Sequence, residues 1–337
     1  GSGSGDEDGD IELNLSATLP DSTETVESVT VSNIPAGATL SAGTLNEDGS
    51  VTLTPEQLSG LTITPPDDSG DDFDLTVTAV STDGGTTEAT IGIEVDAVAD
   101  APDLDALDVS GSEDEAIDLD IATAVTDTDG SESITSVTIS GIPDGALLTA
   151  GTDAEGNPIT VEVVSGVASI DPSQPGDLAI TPPENSTDDF ALTVTSVSSD
   201  TDPDTGIVTT AETIGSFNVE VTPDADEPTL IVENAVGNED TAIPLSISAE
   251  LNDPQEVLSL SIGNIPDGAV VSVENPAGNL VELSIQDGSV TIPPGFLGGN
   301  MFITPPEDSA DDFDLSVTAQ SKHGDDSASV TETLGVE

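Results

Sequence analysis

The chain has 337 residues, with 68 acidic side chains against one lysine, no arginine and a formal net charge of −67. Such a field repels nucleic-acid phosphates and anionic lipid surfaces, so we exclude nucleic acid as a partner. No apolar run is long enough for a membrane-spanning helix, so we expect no direct membrane insertion. The chain has no cysteine, which excludes disulfides, thiolate catalysis and sulfur-ligated zinc.

An acidic segment recurs three times along the chain. The copies begin at Ile63, Ile180 and Ile303 and read ITPPDDSGDDFDLTVT, ITPPENSTDDFALTVT and ITPPEDSADDFDLSVT. An internal repeat of this kind predicts tandem copies of one domain. We therefore divide the chain into domains at 1–98, 99–224 and 225–337, each long enough for one hydrophobic core.

The second repeat indicates the strand order most clearly, because Val, Ile and Thr alternate there with period two between Gly, Pro and Asp turns. We predict strands at 104–109, 116–125, 134–140, 159–170, 178–181, 190–198 and 206–222. The pattern is typical of an immunoglobulin-like antiparallel β-sandwich. The fold prediction is thus all-β, with three tandem sandwiches in an extended array. The first repeat lacks a convincing first strand, and we expect the chain to be a piece of a longer protein.

Acidic residues occupy recurring positions in these sandwiches. A Glu-Asp pair lies at the turn after the first strand, and an acidic loop precedes each recurring Phe. Both turns fall at one pole of an up-and-down sandwich, where the acidic linker to the next domain also begins. The loop after the second strand falls at the opposite pole, so each junction gathers carboxylates from two domains.

Calcium is the hard cation that takes six to eight such oxygens, so we predict several Ca²⁺ ions, mainly at the junctions. The candidate ligands at the first junction are Glu7, Asp8, Asp67, Asp71, Asp72, Asp96, Asp100, Asp127 and Asp129. Those at the second junction are Glu113, Asp114, Glu184, Asp188, Asp189, Asp224, Asp226 and Asp253. The corresponding positions at the far pole of the third repeat are Glu239, Asp240, Glu307, Asp311 and Asp312. The alternative is a set of solvated turns, since Asp and Gly favour turns in any case.

Two further features stand apart from the repeat. The loop 200–206 of the second repeat reads DTDPDTG, which is either a local calcium site or a polar hairpin loop. His323 is the single histidine, and we interpret it as an exposed polar residue. No Ser-His-Asp set or phosphate-binding glycine loop is present, so we expect no enzymatic activity.

The residues Glu239-Asp240-Thr241-Ala242-Ile243, the loop Asp127-Thr128-Asp129-Gly130 and the Asp-Asp-Phe strands together resemble bacterial cadherin-like repeats of giant RTX adhesins. The resemblance covers nearly the whole chain. It implies calcium at domain junctions, type I secretion and a role as an extender between the bacterial cell surface and ligand-binding modules. We expect a monomeric rod that is anchored at the outer membrane through other parts of the parent protein. The partners would be adjacent repeats of the same adhesin.

Two other functions remain open at this point. The sandwiches could themselves bind a sugar, a peptide or a partner cell, or they could be accessory repeats of a secreted enzyme. The aromatic content of 2% disfavours a recognition surface, because binding hot spots are rich in Trp and Tyr.

Overall fold

The structure is a computed structural model that describes residues 2–18, 24–127, 130–173, 177–275 and 277–337. The described residues are mainly β strands, with short 3-10 helices at Pro55–Leu58 and Pro294–Phe296. They fall into two compact units. Unit 1 contains Gly1–Val109, Asp118–Ile180 and Phe190–Val219, and unit 2 contains Ser110–Ile117, Thr181–Asp189 and Glu220–Glu337. Within the described ranges, no helix has the length and apolar character needed to cross a membrane.

The first part of the chain forms two sheets. Its strands are β1 (Ser2–Asp6), β2 (Ile11–Glu12), β3 (Val26–Ser32), β4 (Thr39–Leu40), β5 (Thr44–Leu45), β6 (Val51–Leu53), β7 (Thr62–Thr64), β8 (Phe73–Ser81) and β9 (Thr86–Asp96). One sheet has the order β1-β9-β8-β3-β6-β5 and the other β2-β7-β4. Buried side chains of both sheets, including Val31, Ile63 and Leu75, share one core, so the two sheets form a sandwich.

The second part repeats this layout with longer hairpins. Its strands are β10 (Asp103–Ala106), β11 (Val109–Ser112), β12 (Ile117–Asp118), β13 (Ile121–Ala124), β14 (Ser133–Ser140), β15 (Leu147–Thr152), β16 (Pro158–Thr160), β17 (Val163–Val164), β18 (Val167–Ile170), β19 (Leu178–Thr181), β20 (Phe190–Thr201) and β21 (Val208–Thr222). The sheet orders are β11-β21-β20-β14-β18-β17, β12-β19-β15-β16 and β10-β13.

The third part has two sheets that share another core. Its strands are β22 (Thr229–Glu233), β23 (Ile243–Glu250), β24 (Ser259–Gly263), β25 (Val270–Glu274), β26 (Leu280–Glu282), β27 (Val290–Ile292), β28 (Met301–Thr304), β29 (Phe313–His323) and β30 (Asp326–Val336). The orders are β22-β23-β28-β25-β26 and β27-β24-β29-β30. Val271 and Ile303 of one sheet and Val317 and Leu334 of the other are fully or almost fully buried in that core.

The all-β prediction of tandem, largely antiparallel sandwiches is confirmed. In the second repeat the predicted segments contain strands, but three are divided: 104–109 into β10 and β11, 116–125 into β12 and β13, and 159–170 into β16, β17 and β18. The strand Leu147–Thr152 was not predicted. The domain boundaries at 98 and 224 stay a prediction.

The expectation that the first repeat lacks a convincing first strand stays a prediction, because β1 lies beside β9 as β11 lies beside β21 and is therefore the counterpart of β11, not of β10. Ser2–Asp6 forms β1, which pairs in parallel with β9. Its glycines make the pairing possible, because a Cβ at Gly5 would lie 3.0 Å from Cγ1 of Ile11. The same close approach recurs at Gly111 beside Ile117 (2.6 Å) and at Gly237 beside Ile243 (2.4 Å). The absence of a side chain at these three glycines therefore leaves room for the isoleucine of the next strand to pack in the core. The Gly- and Ser-rich segment Ser2–Asp6 is thus part of the sandwich.

Candidate metal centres

The long strands β20 and β29 each carry a row of inward-facing side chains that is apolar at its start and polar at its end. On β20 the buried row runs Leu192, Val194, Ser196, Ser198, Asp200. On β29 it runs Leu315, Val317, Ala319, Ser321, His323, with His323 half-buried. Because alternate residues of a strand face one side, the row that begins in the core ends in a hydroxyl followed by a charged or imidazole group. Asp200 and His323 therefore occupy equivalent places in the two sandwiches.

The first cluster consists of Glu7, Asp127, Glu132, Asp200 and Asp202, all in unit 1 and all buried. Glu7 follows β1, while Asp127 and Glu132 lie between β13 and β14. Asp200 lies near the end of β20, and Asp202 lies in the loop that connects β20 to β21. Asp200 is 0% exposed, which is exceptional for an acidic side chain without a cationic partner.

The segment 97–100 is held to this cluster by four consecutive backbone N–H groups. The N–H of Ala97 donates to Oδ2 of Asp202 at 3.3 Å, and that of Val98 donates to Oε1 of Glu7 at 2.7 Å. The N–H of Ala99 donates to Oγ1 of Thr209 at 2.7 Å. The N–H of Asp100 donates to Oε1 of Glu132 at 2.8 Å. The segment is therefore an ordered strap between acidic groups, and its backbone donors are satisfied.

The carboxylates of the first cluster retain oxygens that no donor reaches. Oε2 of Glu7, Oε2 of Glu132 and Oδ2 of Asp200 are buried without a hydrogen-bond partner. Burial, together with the neighbouring Asp200 and Asp127, raises the pKa of Glu7 to about 7, against the lowering effect of the Val98 N–H. Burial, followed by the charges of Asp8, Asp68 and Asp200, also raises the pKa of Asp100. The cluster thus concentrates negative charge in a site from which water is excluded.

A second group of oxygens adjoins the first cluster through Asp100. Carboxylate oxygens of Asp8, Asp68 and Asp100 all lie within 4.8 Å of one another. Asp8 also accepts the backbone N–H of Asp68 at 3.1 Å, which fixes the turn after β1 against the loop before β8. Asp100 joins the two groups, because its carboxylate lies with Asp8 and Asp68 while its backbone N–H donates to Glu132 of the first cluster.

The second cluster consists of Glu113, Asp253, Glu256 and His323, all in unit 2. Glu113 and Asp253 are each 1% exposed, and Glu256 is buried. Oε1 of Glu113 accepts the N–H of Asp224 at 3.0 Å, and Oε1 of Glu256 accepts the N–H of Asp226 at 2.6 Å. These contacts match those of Glu7 and Glu132 with the segment 97–100.

His323 enters the second cluster through one ring nitrogen. Its Nδ1 lies 2.8 Å from Oε1 of Glu113 and 3.5 Å from Oδ2 of Asp253. Burial is the main cause that raises the pKa of Glu256; the charges of Asp226 and Asp253 add to it, and His323 opposes it. Nearby, a hydrogen bond with Asp326 is the main cause that raises the pKa of Asp224.

The residues of both clusters fit divalent cations. Among the described residues, the buried side-chain atoms without a hydrogen-bond partner are three carboxylate oxygens in each cluster and Nδ1 of His323: Glu7 Oε2, Glu132 Oε2, Asp200 Oδ2, Glu113 Oε2, Asp253 Oδ2 and Glu256 Oε2. Burying an unpaired carboxylate costs several kcal/mol. The single lysine, Lys322, has an exposed side chain. Oxygen donors converging in this way are the ligands that hard cations prefer.

The structure gathers only part of the ligand set predicted from the sequence into the two clusters. It brings Glu7 and Asp127 into the first cluster and Glu113 and Asp253 into the second. Asp100 lies beside the first cluster and Asp226 beside the second, through their backbone N–H groups. Asp129 lies outside the described residues.

Other predicted ligands have structural partners or lie on the surface. Asp8, Asp114 and Asp240 accept the backbone N–H groups of 68, 185 and 308, and Asp72 and Asp189 accept those of 95 and 221. The remaining members have exposed side chains, namely Asp67, Asp71, Asp96, Glu184, Asp188, Asp224, Glu239, Glu307, Asp311 and Asp312. Their role as ligands stays a prediction.

Sequence reasoning missed Asp68, Glu132, Glu256 and His323 as members of these sites, and it considered Asp200 and Asp202 only as part of a possible local calcium site in the loop 200–206. The interpretation of His323 as an exposed residue was wrong, because its ring lies against two buried carboxylates. The period-two alternation that starts at Leu192 and Leu315 could have found Asp200 and His323. Of the two readings of the loop 200–206, the polar hairpin describes Asp204 and Thr205, whose N–H groups donate to Oδ1 of Asp202.

No protein-family model matches the chain, and no curated protein sequence is a significant match. The chain is similar in structure to extracellular cadherin domains 1–5 of protocadherin gamma B2, at 13% identity, a TM-score of 0.35, and coverage of 89% of this chain and 52% of that one. It is similar to domains 3–6 of the same protein at 13% identity and a TM-score of 0.35, covering 99% and 70%. It is also similar to the human desmocollin-1 ectodomain at 12% identity and a TM-score of 0.27, covering 100% and 60%. The chain thus spans about half the length of the first of these structures.

Proposed function

We propose that this chain is a calcium-rigidified extender region of a bacterial cell-surface adhesin. It would lie outside the cell, be anchored through other parts of the parent protein, and hold ligand-binding modules away from the cell in adhesion or biofilm formation. It would act without catalysis, as a spacer whose adjacent repeats are its partners.

The observation that carries the proposal is the placement of the unpartnered buried carboxylate oxygens. In the described residues they all lie in the two clusters, which hold the segments 97–100 and 224–226. With 68 acidic residues and one lysine, the chain cannot neutralise these groups by itself. A bound divalent cation supplies the missing charge, so the order of each segment depends on an ion.

In unit 1, the residues Glu7, Asp127, Glu132 and Asp200 would hold calcium, with Asp8, Asp68 and Asp100 as a second group. Calcium would supply positive charge and six to eight coordination positions for these oxygens. Glu7 and Glu132 also accept backbone N–H groups of the segment 97–100, so an ion that fixes these carboxylates also fixes the segment. Extracellular calcium modules of this kind bind with dissociation constants of about 10⁻⁴–10⁻³ M, which suits a protein outside the cell.

The proposal is tested by measuring calcium binding and motion on the same protein. Because the chain has no cysteine, spin labels attach only at introduced positions, and Ser59→Cys with Thr160→Cys places two exposed labels in unit 1. We expect calorimetry to show at least two calcium ions in unit 1. We also expect the pulsed electron–electron distance distribution to be narrow in calcium and broad in chelator.

The matched variants are Glu7→Gln, which removes a buried charge, and Glu88→Gln, which removes an exposed charge from β9. Glu7→Gln should lose calcium affinity and keep a broad distance distribution at calcium levels that saturate the unmodified chain. Glu88→Gln should behave as the unmodified chain. An identical distance distribution in calcium and in chelator would refute the rigidification, and equal calcium binding by the two variants would refute the site.

A further inference from the structure

His323 stands where the first cluster has a carboxylate. Two positions before it, Ser321 donates its hydroxyl to the carbonyl of Asp226, as Ser198 donates to the carbonyl of Asp100 two positions before Asp200. Asp200 pairs with Thr209 across its hairpin, and His323 pairs with Asp326. Thr209 and Asp326 each accept a backbone N–H of the adjoining segment. One nitrogen donor therefore replaces one oxygen donor in an otherwise equivalent setting.

The nitrogen Nδ1 of His323 faces two buried carboxylates. Nδ1 of His323 and Oε1 of Glu113 are 2.8 Å apart, and in the neutral ring that carries its proton on Nε2 both atoms are hydrogen-bond acceptors. Oδ2 of Asp253 faces the same nitrogen at 3.5 Å. One ligand atom from each of these three residues lies within 4.8 Å of the others, and Nδ1 and Oδ2 are buried without a hydrogen-bond partner.

We propose that the second cluster is a transition-metal site that selects Zn²⁺ over Ca²⁺, with Nδ1 of His323 and carboxylate oxygens of Glu113 and Asp253 as ligands. Imidazole nitrogen is a ligand for zinc and related ions, whereas calcium takes oxygen. Ligands at about 2.0–2.1 Å from a tetrahedral zinc ion stand roughly 3.3 Å apart, close to the two nitrogen–oxygen separations seen here. Glu256 supplies a further buried and unpartnered oxygen in the same cluster.

A proton on Nδ1 is the alternative to a metal ion. A neutral ring with its proton on Nδ1, or an imidazolium, would donate one hydrogen bond from Nδ1, to Glu113 or to Asp253, and would leave the remaining carboxylate oxygens buried and unpartnered. A metal ion engages Glu113, Asp253 and His323 together, which is why the geometry favours it. This inference goes beyond the proposed function, since it concerns unit 2, and the calcium cluster of unit 1 has no residue in common with it.

The experiment uses the full chain labelled with ¹⁵N, in which every histidine signal belongs to His323 because the chain has one histidine. We expect one equivalent of Zn²⁺ to shift the Nδ1 resonance to the range of a metal-bound nitrogen, and excess Ca²⁺ to leave it in place. Co²⁺ should then give visible absorption bands of a four- or five-coordinate site. A response to Ca²⁺ equal to that to Zn²⁺, or no response to Zn²⁺, overturns the proposal. So does a Nδ1 signal that reports only protonation.

Two variants keep the test independent of folding. His323→Gln should weaken the tightest Zn²⁺ binding at least roughly tenfold, equal to about 1.4 kcal/mol. Asp253→Asn should weaken it while retaining the histidine signal for NMR. Circular dichroism and calcium binding by unit 1 serve as controls for both. Unchanged Zn²⁺ affinity in both variants overturns the zinc proposal and leaves the calcium function of unit 1 standing. Failure of unit 1 to bind calcium, with zinc binding intact, overturns the calcium function and leaves the zinc proposal standing.

Discussion

In the first cluster, Asp200 ends the inward row of β20, and a six-residue loop carrying Asp202 follows before β21 begins. In the second cluster, His323 ends the row of β29, and only Gly324 and Asp325 separate it from β30. The two clusters nevertheless hold their segments alike. A glutamate after the first strand and a second glutamate before β14 or β24 each accept one backbone N–H.

The oxygens that accept the backbone N–H groups are therefore separate from the oxygens that are free to bind a metal. The glutamates use one oxygen for the segment and keep the other unpartnered in both clusters. In the proposed sites, the residue at the end of the long strand would contact the metal but not the segment, so it could change from carboxylate to imidazole without loosening the fold. The last inward position of this strand would therefore determine which ion each cluster prefers.

The largest expected effect is that of removing calcium from unit 1. At a hundredfold excess over its dissociation constant a ligand stabilises the folded state by about 2.7 kcal/mol, which shifts the melting temperature of a unit of this size by roughly 5–10 °C. We expect chelator to speed hydrogen exchange at the amides of Val98 and Asp100 far more than at those of Asp224 and Asp226. Exchange mass spectrometry in calcium and in chelator measures this difference.

Zinc should have the opposite preference between the two segments in the same hydrogen-exchange measurement. Adding Zn²⁺ to the chelator-stripped chain should protect the amides of Asp224 and Asp226 first. If calcium protected both segments equally and zinc protected neither preferentially, the two clusters would be alike in ion preference, and the distinction between Asp200 and His323 would have no functional weight.

The next effect comes from exchanging the two residues that differ. His323→Asp gives the second cluster the residue found at position 200, and we expect its calcium affinity to rise and its zinc affinity to fall, each by roughly tenfold or more, about 1.4 kcal/mol. Asp200→His should do the reverse in the first cluster. Calorimetric titration of each variant with each ion measures the changes, and Thr201→His, which places an imidazole at an exposed position next along β20, is the control. Loss of both ions in both variants would show that residue shape, not donor type, limits binding.

The sequence predicted the sandwiches, two of the five residues of the first cluster and two of the four residues of the second, for reasons that the residues make clear. Glu7, Glu113 and Glu239 each lie 14 residues before an aspartate, Asp21, Asp127 and Asp253 respectively, and this constant spacing marks the same two positions in every repeat. Glu132 and Glu256 perform the same task, but they lie five and three residues after Asp127 and Asp253, so loop length hides their equivalence. Asp200 and His323 were hidden by chemistry, because a repeat search compares residue types and these types differ. Their relation follows from the alternation along each strand together with the hairpin register.

Replacing Glu132 or Glu256 by glutamine should stabilise the fold when no ion is bound and destabilise it when the ion is bound. Glu132→Gln and Glu256→Gln keep an Oε1 acceptor for the segment N–H but remove a buried charge. In chelator each variant should be more stable than the unmodified chain by about 1–2 kcal/mol, because an unsatisfied buried charge has been removed. In saturating calcium or zinc the respective variant should be less stable. Denaturant titration with and without metal measures both signs, and a variant that is neutral in both conditions would indicate a solvated glutamate.

The smallest effect should come from the hydroxyls that hold the segments without contacting a metal. Ser198 donates to the carbonyl of Asp100, and Ser321 donates to that of Asp226. Ser198→Ala and Ser321→Ala each remove one buried hydrogen bond, at a cost of about 1 kcal/mol in free energy of unfolding. Ser199→Ala, on the outward face of β20, is the control and should cost less. Because neither hydroxyl is a ligand, the cost should be the same in metal and in chelator, and the ion preference of each cluster should not change. If Ser198→Ala altered calcium affinity as strongly as Asp200→His, segment geometry would control the ion, and the separation of backbone contacts from metal ligands would not hold.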